Sequence, residues 1–473
     1  MIWVKSILAI DAFLIIFISI FEHKNIKKLL FWAIIISFFS ILGFIAYILL
    51  GNSLKFNAKQ MLINKQKTTK NYLSNTAWYK TYNKNLNLKI NPIAKYIKHN
   101  YNTNLWHSNS INTFLDGKSF FNDLLNEINN AKSSINLEFY ILSDDEYGQT
   151  LAKALLEKAN AGVKIKVIYD AFGSKQTKDK FWSYLKESGI EIFSFFPNIF
   201  KLPFFNFKIN HRNHRKIIII DGKIGYIGGI NIRKDHMGDD KKLKPWRDTQ
   251  VKILGSAVYS LQNIFLNDYL YASNSNLTNS EISKFFPQQN SIGKYNLQIL
   301  ESGPEKEQSQ IYNTYLKIIN ESKKYIFIES PYFVVDNIMV NSIIQAKKRN
   351  VDVYIILPKY PDHKLVYGAG LLCLKKLIEN GVNVYLYSGF IHSKVLLTES
   401  VLSIGSCNFD NRSFKLNFEC TCLCYDKELV YEHLCIIQND ILNSKRLTKK
   451  AYKKIKTKNI FNILLYKIIE KIL

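Results

Sequence analysis

One short pattern occurs twice in this sequence, and its duplication limits the possible folds. The first copy runs from His214 to Asp221 and the second from His392 to Glu399. Each copy reads His-x-Lys followed by an apolar run, and each leads to a Gly-Gly-x-Asn or Gly-Ser-x-Asn segment that ends at Asn231 or Asn408. A single His-x-Lys pair on a strand is usually a structural feature. Two copies with the same sequel indicate an internal repeat with a shared role.

The first copy predicts a β-hairpin. Lys216–Ile220 is β-branched and apolar, Gly222 and Lys223 form a turn, and Ile224–Gly229 is a returning strand. Alternation along the first strand places His214 and Lys216 on one face, and the returning strand carries Asn231 to the same end. The pattern therefore predicts that one imidazole, one ammonium and one amide converge in each copy.

A strand-helix-strand unit is also repeated, which predicts an α/β fold with two related domains. In addition, helical spacing predicts a helix between Ser108 and Ser134. The repeated elements, as first strand, helix and second strand, are Lys132–Glu138, Gly148–Asn160 and Val163–Tyr169 in one unit and Lys323–Glu329, Asn337–Arg349 and Val351–Leu357 in the other.

Two long apolar runs, Ile2–Phe21 and Leu29–Leu50, open the chain. The second is long enough to span a bilayer, which requires ~20 residues. We expect the first to span as well, with Asp11 facing the second run because a charge is costly in lipid. A cleaved signal peptide is the alternative, disfavoured because no small-residue cleavage site follows. The lysines after the second run weakly favour a cytoplasmic location for the rest of the chain.

Charge and cysteine usage narrow the possible partners and compartment. The 64 Lys and Arg residues against 38 Asp and Glu give a net charge of +26, which implies an anionic partner, either nucleic acid or acidic lipid. The six cysteines form no Cys-x-x-Cys pair, which indicates reduced or buried thiols. Cys420, Cys422 and Cys424 alternate along one predicted strand, and core packing is a better interpretation of them than metal ligation.

The two motifs resemble the paired HKD motifs of the phospholipase D superfamily, and their surroundings resemble its bacterial cardiolipin synthase branch. The resemblance implies two tandem phospholipase D-like α-β-α domains that form a pseudo-dimer. The segments that carry the resemblance include Leu137-Glu138-Phe139-Tyr140, Asn213-His214-Arg215-Lys216, Trp246-Arg247-Asp248-Thr249, Ser330-Pro331-Tyr332-Phe333, Gly389-Phe390-Ile391-His392-Ser393-Lys394 and Asn411-Arg412-Ser413-Phe414.

Two such motifs suit phosphodiester chemistry without a metal or another cofactor. Fixed ammonium groups and amide donors can hold the phosphate oxygens, while one neutral imidazole attacks phosphorus and the other protonates the leaving oxygen. From the residues alone the two histidines are interchangeable; the resemblance makes His214 the nucleophile and His392 the acid/base. It also makes Asp248 and Glu419 the acids that orient the histidines. The expected catalytic residues are His214, Lys216, Asp221, His392, Lys394 and Glu399, and the expected substrate-binding residues are Asn231, Asn408, Gly229 and Ser406.

The resemblance implies a phosphatidyltransferase of the cell membrane that takes a phosphatidyl group from one phosphatidylglycerol to another and releases glycerol. One departure from the family pattern is Glu399, where Asp is usual, followed by a turn one residue shorter than the turn after Asp221. We interpret both carboxylates as mainly structural. A phosphodiesterase acting on lipid or nucleic acid and an inactive acidic-lipid binder remain alternatives, although we expect no nucleic acid partner.

The expected domain organisation follows the two repeats. We expect two transmembrane helices in residues 1–51, a linker in 52–106, the two phospholipase D-like domains in 107–290 and 291–445, and a basic amphipathic helix in 446–473. That last helix would pack on the second domain or contact acidic lipid.

Overall fold

The computed structural model describes residues 2–22, 26–50, 91–196, 211–306 and 308–463, together with 63–64, 66–67, 69–70, 72–73 and 76. The loop between the two apolar runs, most of the expected linker and residues 464–473 of the expected final helix lie outside the described residues.

In chain order, the helices are α1 (Ile2–Glu22), α2 (Ile26–Leu50), α3 (Pro92–Tyr101), α4 (Gly117–Asn130), α5 (Glu146–Asn160), α6 (Asp179–Glu187), α7 (Val258–Ser273), α8 (Asn279–Ser283), α9 (Gln310–Glu321), α10 (Asn337–Lys348), α11 (Lys364–Glu379), α12 (Asn411–Lys415), α13 (Lys427–Leu442) and α14 (Lys449–Lys458).

Most strands join one mixed sheet, and three short pairings lie beside it. The strands are β1 (Trp106–Phe114), β2 (Ser134–Phe139), β3 (Lys164–Asp170), β4 (Glu191–Phe195), β5 (Arg212–Asn213), β6 (Ile217–Ile220), β7 (Ile224–Gly228), β8 (Trp246–Arg247), β9 (Gln250–Leu254), β10 (Tyr295–Ser302), β11 (Tyr325–Glu329), β12 (Phe333–Val334), β13 (Asp352–Pro358), β14 (Asn383–Tyr387), β15 (Phe390–Ile391), β16 (Val395–Thr398), β17 (Leu402–Gly405), β18 (Phe409–Asp410), β19 (Asn417–Cys424) and β20 (Ser444–Arg446).

The sheet is internally symmetric about the antiparallel pair β1–β10. Outward from β1 the order is β9-β7-β6-β2-β3-β4, and outward from β10 it is β19-β17-β16-β11-β13-β14. The predicted units appear as β2-α5-β3 and β11-α10-β13, each with its two strands parallel. A helical crossover is the usual connection between parallel neighbours. The prediction of two related α/β halves is therefore confirmed.

The predicted hairpin of the first motif forms, the second motif forms another, and the strands of both are buried. In the first hairpin β6 pairs with β7, and all four isoleucines of β6 are at most 1% exposed. In the second, β16 pairs with β17. The three alternating cysteines of β19 (Cys420, Cys422 and Cys424) are buried in the apolar core beside these strands, as the core-packing interpretation predicted.

One prediction of secondary structure was wrong. Residues 108–114 belong to strand β1 rather than to a helix, because this segment pairs with β9 and with β10 and so links the two halves. The helix begins only at Gly117, after the N-cap residue Asp116, whose side chain accepts a hydrogen bond from the Ser119 N–H. The predicted apolar face of this helix is confirmed, since Phe120 and Leu124 are fully buried.

Two helices outside the expected catalytic domains, α3 and α14, pack on the second half of the protein. Helix α3 lies within the expected linker, and its Ile93 and Ile97 are buried in the apolar core of the second half. Helix α14 carries six lysines, and its Tyr452 is buried in the same core with its hydroxyl donating to the Leu371 carbonyl. The described part of the expected C-terminal helix therefore packs on the protein.

The two apolar runs form helices α1 and α2. Within α2, Leu29–Tyr47 has a mean hydropathy of 2.5, and it is the one segment of the described residues long and apolar enough to span a membrane. The apolar part of α1, Ser6–Ser19, is shorter. Asp11 is buried on the face of α1 that also carries Leu14 and Ile18, and these pack in one cluster with Trp32, Ile36 and Tyr47 of α2. Asp11 therefore faces α2, as predicted.

Candidate active site

Two short parallel pairings bring each motif histidine beside a strand of the opposite half. Strand β5 pairs with the start of β19, and the His214 N–H donates to the Phe418 carbonyl at 2.9 Å. Strand β15 pairs with β8, and the His392 N–H donates to the Arg247 carbonyl at 2.7 Å. The residue after each of these acceptors is an acid, so the backbone pairing places a carboxylate from one half next to the histidine of the other.

The two predicted orienting acids contact the histidines in this crossed arrangement. Asp248 Oδ2 lies 2.6 Å from His392 Nδ1, and Glu419 Oε1 lies 3.0 Å from His214 Nδ1. Both acids are fully buried. A carboxylate that accepts the Nδ1–H fixes the tautomer and leaves Nε2 with its lone pair. Each histidine is therefore oriented to present Nε2 for attack or proton transfer.

Each acid is held in place by further hydrogen bonds. The Ser406 hydroxyl donates to Glu419 Oε2 at 2.5 Å, and the Thr249 N–H donates to Asp248 Oδ1 at 2.8 Å. At the position in the first half that corresponds to Ser406, Gly229 has no side chain, and a Cβ there would lie 2.2 Å from Asp248 Oδ1. Ser406 and Gly229, predicted to bind substrate, thus lie against the orienting acids.

The two motif lysines are buried beside the histidines. Lys216 Nζ donates to the His214 carbonyl at 2.5 Å, and Lys394 Nζ lies 2.8 Å from His392 Nδ1. Burial lowers the pKa of Lys216 to about 8 and that of Lys394 to about 7. The ammonium of each also lowers the pKa of the histidine in the opposite half. The charged and titratable groups of the two motifs therefore act on one another and form a single site.

The surroundings of both histidines favour the neutral imidazole. Burial lowers the pKa of His214, and the two lysines lower it further, although Glu419 opposes them. Burial, Lys394 and Lys216 hold the pKa of His392 well below its usual range. Two neutral imidazoles between two ammonium groups can bind an anion and supply a nucleophile, because a neutral Nε2 carries a free lone pair.

The two predicted asparagines lie in the same buried region. Asn231 is 2% exposed, and its Oδ1 accepts a hydrogen bond from the Ile141 N–H. Asn408 is 5% exposed, and its Oδ1 has no hydrogen-bond partner among the described residues. An unsatisfied buried amide oxygen is costly, so Asn408 has capacity left to bind a further group.

Comparisons with known proteins identify the family. A family model described as "Cardiolipin synthase, PLD-like domain" matches residues 124–243 and 315–441, one segment in each half and more than half of the chain together. The chain belongs to the cardiolipin synthase family.

Two curated relatives and one solved structure illustrate this membership. A cardiolipin synthase of Listeria monocytogenes is 37% identical over 441 residues, which cover 92% of this chain and 91% of the relative. A cardiolipin synthase of Staphylococcus aureus is 36% identical over 454 residues, which cover 94% and 90%. The crystal structure of phosphatidylserine synthase from Haemophilus influenzae matches with a TM-score of 0.60 at 17% identity, over 80% of this chain and all of that one. This structural likeness shows that the two proteins share a fold, which the family model describes as PLD-like.

Asp221 and Glu399 are the acids that end the two motifs, and each lies at the turn of its hairpin. Their carboxylates accept hydrogen bonds from the turns that precede β2 and β11. Asp221 accepts hydrogen bonds from the backbone N–H groups of residues 132–134 and from the Ser133 hydroxyl. Glu399 accepts one from the Lys323 N–H at 2.7 Å. Three residues lie between the last paired residues of the first hairpin, and two lie between those of the second. The longer Glu side chain therefore accompanies the shorter turn.

A third histidine lies at the site, and no motif or spacing in the sequence pointed to it. His236 is 2% exposed, and its ring lies edge-on to that of His392 with centroids 4.7 Å apart. Its Nδ1 is 3.8 Å from Asp248 Oδ2, and its two ring nitrogens are 3.2 Å and 3.1 Å from the backbone and side-chain nitrogens of Asn231. His236 therefore connects Asn231 with the His392–Asp248 pair.

His236, Asp248 and His392 also form a cluster of potential metal ligands, whose nearest atoms lie within 4.8 Å of one another. Lys394 Nζ contacts His392 Nδ1 within this cluster. A cation bound there would meet the lysine ammonium, so the geometry suits hydrogen bonding better than metal ligation.

Proposed function

We propose that this protein is a cardiolipin synthase that transfers a phosphatidyl group from one phosphatidylglycerol to a second, releasing glycerol. The observation that carries the proposal is the crossed pairing of His392 with Asp248 and of His214 with Glu419, beside two buried lysines. A site of this kind can run phosphodiester exchange in two steps, and the family membership supplies the lipid class.

In the first step, His214 Nε2 attacks the phosphorus of the donor. The P–N bond forms, the P–O bond to glycerol breaks, and His392 gives a proton to the leaving oxygen. Lys216 and Lys394 balance the charge on the phosphate oxygens, and Asp248 stabilises the imidazolium form of His392. The negative charge of the bound phosphate favours the protonated forms of Lys216, Lys394 and His392. It thereby offsets the effect of burial on their pKa values.

In the second step, a terminal glycerol hydroxyl of another phosphatidylglycerol attacks the phosphohistidine. His392 accepts the hydroxyl proton, the P–N bond to His214 breaks, and the new P–O bond completes cardiolipin. The assignment of the nucleophile to His214 rests on the resemblance to the superfamily. Burial of the site favours transfer to an alcohol over hydrolysis because it limits the entry of water.

We further propose that α1 and α2 anchor the protein as two membrane spans, with both catalytic halves on the cytoplasmic side. Large apolar side chains on the outer faces of both helices support the two spans, since Phe13 is 66%, Phe38 80% and Leu42 70% exposed. Exposed side chains of this kind are stable in lipid but unfavourable in water. The lysines that follow the second run favour the cytoplasmic side for the rest of the chain. The anchor would keep the site, with domains 107–290 and 291–445, at the surface where its lipid substrate lies.

The test is product analysis with purified full-length protein in phosphatidylglycerol vesicles, with and without a chelator. Cardiolipin and glycerol in equal amounts, unchanged by the chelator and abolished in His214→Ala and His392→Ala, are the expected result. Phosphatidic acid as the sole lipid product would make the protein a hydrolase. Cleavage of DNA without lipid turnover would instead assign it to nucleic acid phosphodiesterases.

A further inference from the structure

A buried arginine lies behind each of the two orienting acids. Arg215 is fully buried, and its Nε donates to the Glu419 carbonyl at 3.4 Å. Arg247 is 6% exposed, and its Nη1 donates to the Asp248 carbonyl. A guanidinium that binds the backbone of a residue also restrains the side chain that this backbone carries. Each orienting acid is therefore backed by one fixed cation.

Both guanidinium groups are held by the same kind of anchor. Arg215 Nη1 pairs with Asp268 of α7, and Arg247 Nη2 lies 3.0 Å from Asp440 Oδ2 of α13. Both aspartates are buried. Helices α7 and α13 follow β9 and β19, which are equivalent strands of the two halves. The two cations thus occupy corresponding places in the pseudo-symmetric fold.

The two arginines nevertheless come from positions that do not correspond in the repeat. Arg215 directly follows the histidine of the first motif, and Ser393 stands at this position in the second. Arg247 directly precedes its orienting acid, and Phe418 stands at this position in the second half. A buried ion pair does not by itself stabilise a fold more than apolar packing does. A guanidinium supplied at the same place from two different positions therefore indicates a use at the site itself.

Hydroxyl groups connect Arg247 with the second motif as well. Its Nη1 donates to Thr249 Oγ1 at 2.9 Å, and Thr249 Oγ1 lies 2.8 Å from Ser393 Oγ. Ser393 is fully buried and directly follows His392. The acid Asp248 and the histidine that it orients are thus both tied to this guanidinium.

We infer that Arg247 is a positioning residue for proton transfer by His392, because it fixes the Asp248 carboxylate behind the imidazole. The inference rests on the proposed function, whose mechanism gives His392 its acid and base roles. Burial raises the pKa of Asp248, whereas Lys394, His236 and, less strongly, Arg247 lower it. Without Arg247 this carboxyl would keep its proton to higher pH, and a protonated carboxyl cannot stabilise an imidazolium.

The experiment moves the guanidinium of the second motif to the position that the first motif uses. The variants are Arg247→Phe, which copies Phe418, and the double variant Arg247→Phe/Ser393→Arg. In the first motif the Arg215 guanidinium lies 5.4 Å from the centre of the Phe418 ring, so the fold already accommodates this combination of side chains. Arg247→Lys keeps a positive charge in place and serves if Arg247→Phe does not fold.

The readout is turnover of phosphatidylglycerol to any product by full-length protein in vesicles, with thermal unfolding measured on the same samples. Lys252→Gln is the matched control. Lys252 is largely buried and forms ion pairs with Asp123 and Glu127 of α4, and these pairs include no motif residue. Its replacement should lower the unfolding temperature and leave kcat unchanged.

We expect Arg247→Phe to lower kcat about thirtyfold with KM within about threefold of wild type, and to move the acidic limb of the kcat/KM profile to higher pH. The double variant should regain about tenfold of the lost kcat, and Arg247→Lys should lie between Arg247→Phe and wild type. A near-wild-type kcat in folded Arg247→Phe or Arg247→Lys, an acidic limb that stays in place, or a double variant that regains stability without activity would overturn the positioning role. Phosphatidic acid as the sole product of the wild-type protein would refute the proposed synthase, while the comparison of variants would still test Arg247.

Discussion

Asp248 Oδ2 lies 2.6 Å from His392 Nδ1, although the two residues belong to opposite halves of the chain. Glu419 and His214 repeat this relationship in the reverse direction. Neither half therefore contains a complete histidine-acid pair. This exchange of acids explains why one half alone cannot form the site: it would present a histidine and a lysine but no carboxylate to orient the ring.

Replacing either orienting acid should impair catalysis far more than substrate binding. We expect Asp248→Asn and Glu419→Gln each to lower kcat at least about 100-fold, because the amide cannot stabilise the imidazolium and permits the wrong tautomer. Steady-state kinetics on phosphatidylglycerol would measure this, with thermal unfolding as a control for folding. A kcat within threefold of wild type in either variant would contradict the assigned role.

The buried lysines predict a fall in kcat/KM in mildly alkaline solution. With pKa values of about 8 for Lys216 and about 7 for Lys394, both are protonated at lower pH and lose their charge as the pH rises through this range. The free enzyme then attracts the phosphodiester less strongly, so KM should rise. Bound phosphate stabilises the ammonium forms, so kcat should fall only at higher pH.

The measurement is the profile of kcat/KM between roughly pH 6 and 9. Lys394→Arg provides a control, because its guanidinium stays charged and should move the alkaline limb upward even if overall activity is lower. A profile that is flat over this range in the wild-type protein would mean that the lysine charges do not govern binding.

His236 should act as a positioning residue for His392. We expect His236→Gln to lower kcat about tenfold with little change in KM and to shift the pH dependence of kcat, because Asp248 and Asn231 both lose a neighbour that fixes them. His433→Gln is the matched control, since His433 is also buried but contacts Thr113 and Leu429 away from the motifs. Equal kinetic effects of both substitutions would reduce the role of His236 to packing.

Asp221 and Glu399 should contribute to stability and hardly to chemistry. Asp221→Ala removes the acceptor of several hydrogen bonds at the turn before β2, and we expect the free energy of unfolding to fall by about 2 kcal/mol. Glu399→Asp should shorten the reach to the Lys323 N–H and cost about 1 kcal/mol. Denaturant unfolding and kcat would be measured on the same samples. A kcat reduced more than tenfold in a folded variant would place these carboxylates in the catalytic machinery.

Much of the fold could be predicted because its repeated units are local. The hairpin that ends at Gly228 and the strand-helix-strand units depend on runs of β-branched or periodic residues, and these patterns act over short distances along the chain. Strand β1 was not predictable in this way. Its sequence, Trp106–Phe114, is rich in Ser and Asn, and it is extended only because β9 and β10 pair with it across long sequence separations.

The site was predictable in its members but not in its pairings. The motif histidines and the acids Asp248 and Glu419 could be found from the repeat and the family pattern. Which acid contacts which histidine depends on the pairing of β5 with β19 and of β8 with β15, between segments far apart in the chain. His236 belongs to no repeat and has no counterpart at a motif spacing, so its contact with His392 becomes visible only in three dimensions.

The two-step mechanism requires a phosphohistidine at one histidine of a site shared by both halves. The most direct measurement is rapid quenching of the full-length protein with phosphatidylglycerol labelled in the phosphatidyl group, followed by identification of the labelled peptide. We expect label on His214 in the wild-type protein and none in His214→Ala. Label on His392, or label that persists in His214→Ala, would contradict this assignment.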